Sequence, residues 1–161
     1  MRILLIRQSP YSTVEDEPSE SFCHEIVKKY DNSQLERPVY VIQEHHASKL
    51  HWDLRFEIGH TLKSWALPKE PPQKIGERRL AISVDDHPIE YAMFEGEIPE
   101  GNYGAGQVKT WDKGTFDLVE SNDKKIVVNI HGARLQGKYC LVHFEQEEKN
   151  WLFFKMKYDS K

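Results

Sequence analysis

The sequence predicts a mainly β protein, in which antiparallel strands form a barrel or a sandwich behind one short N-terminal helix. Two observations support this fold class. After Pro38, short runs rich in valine, isoleucine, threonine and aromatic residues recur, and turns with glycine, proline or asparagine separate them. Between these runs there is almost no segment with the periodicity of an amphipathic helix. Strands that follow one another through such turns pair antiparallel, as they do in barrels and sandwiches.

The N-terminal part contains the one predicted helix. Over residues 20–30, Phe22, Ile26 and Tyr30 recur at fourfold spacing, which places them on one face of an α-helix. Residues 1–19 combine serine, proline and acidic residues after a short apolar start, so we expect an irregular arm there.

About nine strands are predicted between residues 39 and 157, the extent of the expected β-barrel. In chain order they are VYVIQ, LHWDLRFEI, TLKSWAL, RLAISVD, QVKTWD, TFDLVES, KIVVNI, GKYCLVHFE and NWLFFKMKY. The longer loops, residues 67–78 and 86–106, are where we expect function first, because binding and catalytic residues concentrate on loops.

The composition predicts a single domain over residues 1–161. Hydrophobic residues make up 39% and charged residues 30%, a balance that supports one core. Cys23 and Cys140 lack metal-type spacing, and no stretch resembles a signal peptide or a membrane span. We therefore expect a cytoplasmic monomer with free thiols. The net charge of −4 excludes a global positive field for nucleic acid, although an enzyme acting on one terminal phosphate needs only a local basic pocket.

The most informative stretch is LHWDLRFEI at residues 50–58. Its apolar residues alternate strictly with polar ones, which is the period of a β-strand. The polar side consists of His51, Asp53, Arg55 and Glu57. The ordinary interpretation of such a strand is that its polar side meets water.

A metal site is the alternative interpretation of this polar side. Residues two apart in a strand lie about 6.5 to 7 Å apart on the same side, so His51 and Asp53 can reach one ion between them. His45 can approach from the preceding turn, although its neighbour His46 competes for this role on sequence alone. Two imidazoles and one carboxylate suit Mn, Fe, Co or Zn. Arg55, next on this side, would lie beside the metal, where its guanidinium can bind a phosphate oxygen.

A second polar segment, VDDHPIEY, ends the RLAISVD strand. Pro88 restricts His87 to extended geometry, which fixes the direction of the imidazole. Such a histidine can transfer a proton near neutral pH or bind an oxyanion when charged. A histidine in a loop is more often a solvated surface residue, and Tyr91 is equally compatible with simple packing.

In the segment from Phe94 to Val108, the glycines at positions 101, 104 and 106 superficially resemble those of a phosphate-binding loop. No Lys-Ser or Lys-Thr pair and no predicted helix follow them, so we interpret the segment as a glycine-shaped β-loop and not as a phosphate cradle. Basic candidates for substrate binding elsewhere are Lys63, Lys69, Arg78 and Arg79, although charges scattered in this way are usually solvated.

Several runs together resemble one known family. QEHHASKLHWDLRFE, LKSWALPK and RRLAISVDDHPIEYAMFEGEIPEGNYGAGQVKTWDKGT are similar, in this order, to the 3′-phosphoesterase domain of bacterial DNA ligase D and its free-standing archaeal relatives. The similarity is dense over residues 39–116 and looser through GKYCLVHF and WLFFK. It implies a compact antiparallel β-barrel of about eight to nine strands that heals DNA 3′ ends in repair by non-homologous end joining.

The resemblance also implies a reaction sequence. In this family a manganese-dependent phosphodiesterase removes a 3′-terminal ribonucleoside to leave a 3′-phosphate, and a phosphomonoesterase then leaves a 3′-hydroxyl. The implied partners are DNA 3′ ends, such as a primer-template with a 3′-ribonucleotide or 3′-phosphate, and a separate DNA ligase and polymerase. Mn²⁺ is the implied cofactor, and Co²⁺ or Zn²⁺ also suit the ligand set.

Residue roles carry over by position in the shared runs. The implied metal ligands are His45, His51 and Asp53, which leaves out His46. The implied phosphate-binding residues are Arg55, His87 and Tyr91, with Lys69 and Arg79 as supporting cations. The implied catalytic residues are Asp53, Arg55 and His87, of which His87 is expected to protonate the leaving oxygen.

Two other functions are compatible with parts of the pattern. A non-haem Fe(II) oxygenase also uses an H-x-D pair on a barrel strand and a later histidine, here His131 or His143. A non-catalytic module can bind a 3′-phosphate in the same pocket without hydrolysing it. Turnover that needs iron and 2-oxoglutarate would identify the oxygenase. Binding of a 3′-phosphate without turnover in excess Mn²⁺ would identify the non-catalytic module.

Overall fold

The protein forms a closed antiparallel β-barrel with one additional strand. The structure, a computed structural model, describes residues 20–99 and 105–157, so the expected arm at residues 1–19 lies outside the described residues. Helix α1 spans Glu20–Lys29. The strands are β1 (Val39–His46), β2 (Leu50–Ile58), β3 (Thr61–Leu67), β4 (Arg78–His87), β5 (Gly96–Ile98), β6 (Gly106–Ser121), β7 (Lys125–Gly132), β8 (Gln136–His143) and β9 (Asn150–Lys155).

The sheet order is β1-β2-β3-β4-β9-β8-β7-β6, and an antiparallel pairing between β6 and β1 closes the barrel. Strand β5 adds to β6 beyond the point of closure. The mainly β fold, the barrel and the short N-terminal helix are therefore confirmed. Among the described residues, no helix combines the length and the apolar character that crossing a membrane requires.

The strand count agrees with the prediction, but the strands themselves differ in two places. QVKTWD and TFDLVES, predicted as separate strands, form the single strand β6, and β5 lies in a predicted loop. The glycine between the two runs suggested a break. In the structure Gly114 instead permits close approach, because a Cβ there would lie 2.1 Å from the carbonyl oxygen of His131 on β7.

The barrel interior is filled by apolar side chains from all eight barrel strands. Aromatic rings form its centre, with Phe56 in contact with the rings of Tyr40, Trp65 and Phe116. Burial of these side chains is the main stabilisation of the closed sheet. Since alternate residues of a strand point to opposite faces, the other face of β1 and β2 lies outside the barrel.

A second apolar cluster covers part of this outer face. It joins α1, the outward residues of β1, the short 3₁₀ helix Ile89–Met93, and residues of β5 and β6. Ile26 of α1 is buried, and Phe22 and Tyr30 pack against the same cluster, as their spacing predicted. The layer built from α1 and the 3₁₀ helix thus shields one side of the barrel from water.

Candidate metal centre and phosphate site

The polar side of β2 is buried. Leu54 and Phe56 point into the barrel, and on the opposite face His51, Asp53 and Arg55 expose 3%, 2% and 1% of their surface. The ordinary interpretation of the alternating pattern, a polar side that meets water, is therefore wrong for these residues. Charged side chains are rarely buried this completely unless they are paired or bind a ligand.

His45 reaches the same place from β1. It was expected in a turn, but β1 continues to His46, and the register pairs His45 with His51 and Gln43 with Asp53. Residues opposite each other in an antiparallel pair have neighbouring side chains on one face. The hairpin β1-β2 therefore brings both histidines and the carboxylate together, because only the residues between His46 and Leu50 form the turn.

These three side chains form a group that can hold a metal ion. Asp53 Oδ2 lies 3.3 Å from His51 Nε2 and 3.6 Å from His45 Nδ1. The candidate ligand atoms all lie within 4.8 Å of one another. Ligand atoms about 2.1 Å from a common ion are about 3 to 4.2 Å apart, so the two distances to Asp53 fit such an ion. The exposed His46 instead contacts Glu44.

Hydrogen bonding fixes the form of His51 that can bind a metal. Its Nδ1–H donates to the carbonyl oxygen of Lys49 at 3.0 Å. In a neutral imidazole with its proton on Nδ1, Nε2 carries the lone pair. A backbone acceptor on the distal nitrogen is the usual way in which proteins orient a metal-binding histidine. Nε2 is the atom that faces Asp53, so this tautomer presents a ligand atom to the centre.

Asp53 supplies the negative charge of the centre. Burial alone would raise the pKa of its carboxyl, but the neighbouring His51 and Arg55 hold that pKa well below its ordinary value. The carboxylate is therefore ionised at neutral pH. Its Oδ1 is buried and has no hydrogen-bond partner among the described residues. A buried carboxylate oxygen of this kind fits a cation, which would offset the cost of its desolvation.

Arg55 continues the polar network away from the metal ligands. Its Nη2 lies 3.4 Å from Asp53 Oδ2. Its Nε donates to Gln43 Oε1 at 2.8 Å, and its Nη1 donates to Ser64 Oγ at 2.9 Å and lies 3.1 Å from His87 Nδ1. The network therefore runs without interruption from the candidate metal ligands to the end of β4.

His87 and Tyr91 complete the network. His87 Nδ1 lies 2.9 Å from the carbonyl oxygen of Asp85, which requires a proton on Nδ1, whereas a hydrogen bond from Arg55 requires a lone pair there. With a proton on Nδ1, His87 donates to the carbonyl oxygen of Asp85, and with a lone pair there it accepts from Arg55. The ring of Tyr91 lies 5.0 Å from both the imidazole of His87 and Cζ of Arg55. Beside His87 is a cavity of about 500 Å³, with Thr61, Asp85 and Asp86 also in its lining.

Lys69 and Arg79 are not joined to this network by any hydrogen bond or ion pair among residues 20–99 and 105–157. Arg79 Nε donates to the carbonyl oxygen of Glu70 at 2.6 Å, and Lys69 is exposed in the same loop. In the next part of this loop, the carbonyl of Pro72 accepts a hydrogen bond from Tyr139 at 2.9 Å. Arg79 thus supports the loop that carries Lys69.

The two histidines of the oxygenase hypothesis, His131 and His143, lie outside the group of His51 and Asp53. His131 is exposed and bonds Asp117 at 2.8 Å, and His143 faces backbone carbonyl oxygens of residues 123, 147 and 148. Within the described ranges, neither joins His51 and Asp53 in a metal-binding group. The ligand set that the iron oxygenase hypothesis requires is therefore not formed there.

Two contributors to the network were not predicted from the sequence, Gln43 and Ser64. Gln43 precedes His45 by two residues and so lies on the same face of β1. The alternation of β1 therefore predicts that Gln43 lies on the side of the candidate ligands. Ser64 is opposite Arg55 in the register between β2 and β3, which only the paired structure reveals.

Comparison with known proteins places this geometry in a family. Residues 43–143, which include the three candidate ligands, Arg55 and His87, match the DNA ligase D 3′-phosphoesterase domain. The chain belongs to this family. The resemblance recognised in the sequence motifs is thereby confirmed, and the segments that carry those motifs are the ones that converge around the buried network of the 3′-phosphoesterase domain.

Two relatives show the extent of the similarity. The chain is 45% identical over 122 residues to the multifunctional non-homologous end joining DNA repair protein LigD of Mycobacterium tuberculosis. It is 42% identical over 125 residues to the multifunctional non-homologous end joining protein LigD of Pseudomonas aeruginosa. The alignments cover 73% of this chain but 16% and 15% of those proteins, so the phosphoesterase domain corresponds to a small part of each.

The adjacent histidines provide a matched test of the metal centre. We expect His45→Ala to weaken Mn²⁺ binding by at least about tenfold, because it removes a buried ligand. We expect His46→Ala to leave the affinity within about twofold, because its side chain contacts Glu44 at the surface. Titration calorimetry of the two variants measures both affinities. Equal losses in the two variants would contradict the assignment of His45.

Proposed function

We propose that this protein is a divalent-metal-dependent phosphoesterase that heals DNA 3′ ends. It removes a 3′-terminal ribonucleoside to leave a 3′-phosphate, and then removes the phosphate to leave a 3′-hydroxyl. Mn²⁺ is the proposed metal, with Co²⁺ or Zn²⁺ as substitutes. The names of the relatives support a role in non-homologous end joining, in which a separate DNA polymerase and ligase would supply the ribonucleotide and seal the healed end.

The observation that carries this proposal is the continuous buried network of metal ligands, guanidinium and imidazole. His45, His51 and Asp53 would hold the metal, which supplies positive charge to a phosphate oxygen and acidifies water. Arg55, within reach of Asp53 and His87, is placed to bind a second phosphate oxygen. A phosphate held between them loses its water shell, so each charge acts more strongly than it does in solution.

His87 is the proposed proton donor to the leaving oxygen. When its Nδ1–H donates to the carbonyl of Asp85, the charged imidazole has a second proton on Nε2, and that proton can be transferred. The cavity beside His87 provides space next to this group for the part of the substrate that leaves. Tyr91 would fill the side of the phosphate pocket, where its ring contacts both His87 and Arg55. Lys69 is proposed as a further cation at the substrate, with Arg79 beside it in the same loop region.

One assay tests the proposed reactions. The purified protein is incubated with a primer-template that ends in one 3′-ribonucleotide, with Mn²⁺ or with Mn²⁺ and excess chelator. We expect a product shortened by one nucleoside that carries a 3′-phosphate, followed by conversion to a 3′-hydroxyl. We expect the chelator to stop both steps, because removal of the metal withdraws the positive charge on one phosphate oxygen and the acidified water, neither of which Arg55 can replace.

The same assay separates this proposal from its rival. A 3′-phosphate oligonucleotide that binds in excess Mn²⁺ without release of phosphate would identify a non-catalytic end-binding module. Shortening that continues in the chelator would contradict the metal dependence. Release of phosphate from a 3′-phosphate oligonucleotide, with the primer that ends in a 3′-ribonucleotide left uncut, would restrict the function to the phosphomonoesterase step.

A further inference from the structure

Gln43 occupies an unusual position for a neutral polar residue. It lies on β1 opposite Asp53, between the phosphate-binding candidates on β2 and the 3₁₀ helix that carries Tyr91, and it exposes 0% of its surface. A carboxamide buried this completely needs partners for both its oxygen and its nitrogen. The partners that it has lie on two separate parts of the candidate site.

The contacts of Gln43 determine the orientation of its own amide group. Oε1 accepts the hydrogen bond from Arg55 Nε, which can only donate. Nε2 donates to the carbonyl oxygens of Tyr91 at 2.9 Å and Phe94 at 3.4 Å, which can only accept. A flipped amide would place donor against donor and acceptor against acceptor. The side chain is therefore held in one orientation between Arg55 and the segment around Tyr91.

The planar guanidinium of Arg55 is oriented by contacts on two of its three nitrogens. Nε is bonded to Gln43, and Nη1 is bonded to Ser64. Two such contacts determine the plane of the group and its rotation in that plane. The remaining nitrogen, Nη2, is then directed to the metal-ligand side, 3.4 Å from Asp53 Oδ2. A phosphate oxygen near the metal would meet this nitrogen.

We propose that Gln43 is a positioning residue. It orients the Arg55 guanidinium for an anionic oxygen and fixes the position of this group relative to the segment around Tyr91. The inference rests on the proposed function for the identity of the anion as a phosphate ester. It does not require that the ester be hydrolysed. Gln43 has no role as a ligand or proton donor, since both ends of its carboxamide are already bonded within the protein.

The first measurement is phosphate binding by the metal-free protein. Inorganic phosphate is titrated into ¹⁵N-labelled protein, and backbone amide shifts give the dissociation constant for the wild type and for Gln43→Leu. We expect Gln43→Leu to bind phosphate about tenfold more weakly, because a guanidinium that is not oriented by Gln43 directs its N–H groups less well toward the phosphate oxygen. Gln43→Asn keeps a carboxamide but is one methylene too short to span both partners. We expect it to weaken phosphate binding as well, and it replaces the leucine variant in this test if that variant does not fold.

A double-mutant cycle distinguishes positioning from a general structural role. If Gln43 acts through Arg55, then Gln43→Leu in an Arg55→Ala background weakens phosphate binding by no more than about twofold. A second readout is the Arg55 Nε–H signal, which we expect to be protected from solvent exchange in the wild type and to lose protection in Gln43→Leu. Tyr40→Phe is the matched control, because it also removes a buried hydrogen bond made by a residue of β1 but lies on the opposite face of that strand, inside the barrel.

The outcomes separate this inference from the proposed function. A wild type that binds phosphate, with the expected cycle, but does not release phosphate from an oligonucleotide would overturn the proposed function and leave the inference in place. Additive losses in the cycle would overturn the inference, as would phosphate binding within twofold of wild type in Gln43→Leu or a wild type without measurable phosphate binding. A loss in Tyr40→Phe equal to that in Gln43→Leu would also overturn it.

Discussion

Asp53→Asn is expected to reduce release of phosphate from a 3′-phosphate oligonucleotide by about 10³-fold or more and to abolish measurable Mn²⁺ binding. The asparagine keeps the volume of the side chain and one acceptor oxygen, but it removes the charge that attracts the cation. It also leaves the buried Arg55 without its nearest counter-charge, since Asp53 Oδ2 is 3.4 Å from Nη2. Phosphate release is measured at saturating substrate, and metal binding by calorimetry.

Asp117→Asn is the matched control for this substitution. Asp117 also bonds a histidine, His131, at 2.8 Å, but both side chains are exposed on the barrel surface. We expect its activity and metal affinity to stay within about twofold of the wild type, because surface substitutions outside a site have small effects. If Asp53→Asn kept more than a tenth of the wild-type rate while still folded, Asp53 would not be the central ligand.

Much of the fold could be predicted from the sequence, because strand periodicity and turn residues are local properties. The barrel, the short helix and most strands follow from them. The exceptions are β5, which lies in a predicted loop, and β6, which was predicted as two strands separated at Gly114. The actual role of Gly114, close approach to the His131 carbonyl, depends on which strand lies beside it. Such long-range pairing is not encoded in a local pattern.

The site was partly predictable for the same reason. His51 and Asp53 are two residues apart, so they lie on one face of a strand independently of which other strands pair with it. The position of His45 depends on the length of the turn, and the correct register with His51 emerged only from the paired hairpin. Burial of this face was not predictable locally, because it depends on residues that are distant in sequence, such as Tyr91 on the 3₁₀ helix, whose ring lies 5.0 Å from Cζ of Arg55.

Burial of the polar face has a cost and a consequence. Removing His51, Asp53 and Arg55 from water is unfavourable unless their charges and hydrogen bonds are satisfied. The protein satisfies most of them internally, through Gln43, Ser64 and the Lys49 carbonyl, and a cation would complete the set. In the proposed reaction the charges would therefore already be oriented before the substrate binds, so little energy would be spent on reorganising them.

A second buried carboxylate, Asp112 on β6, has a structural role. It accepts hydrogen bonds from the hydroxyl of Tyr40 at 2.8 Å and from the backbone N–H groups of Ala133, Arg134 and Leu135 at 2.9, 3.0 and 2.9 Å. These donors belong to β1 and to the turn between β7 and β8. Gly132 is required beside it, because a Cβ there would lie 2.5 Å from Asp112 Oδ2. The carboxylate thus joins three parts of the barrel.

We expect Asp112→Ala to lower the free energy of unfolding by about 3 to 5 kcal/mol, because it leaves four donors without their acceptor, three of them on the backbone. For a domain of this size the melting temperature would fall by about 10 °C or more, as measured by thermal unfolding followed by circular dichroism. Tyr40→Phe removes one of the four bonds and should cost about 1 kcal/mol. Asp117→Ala, an exposed carboxylate on the same strand, should change the melting temperature by about 2 °C at most. A loss in Asp112→Ala no larger than that in Asp117→Ala would show that the turn holds its conformation without the carboxylate.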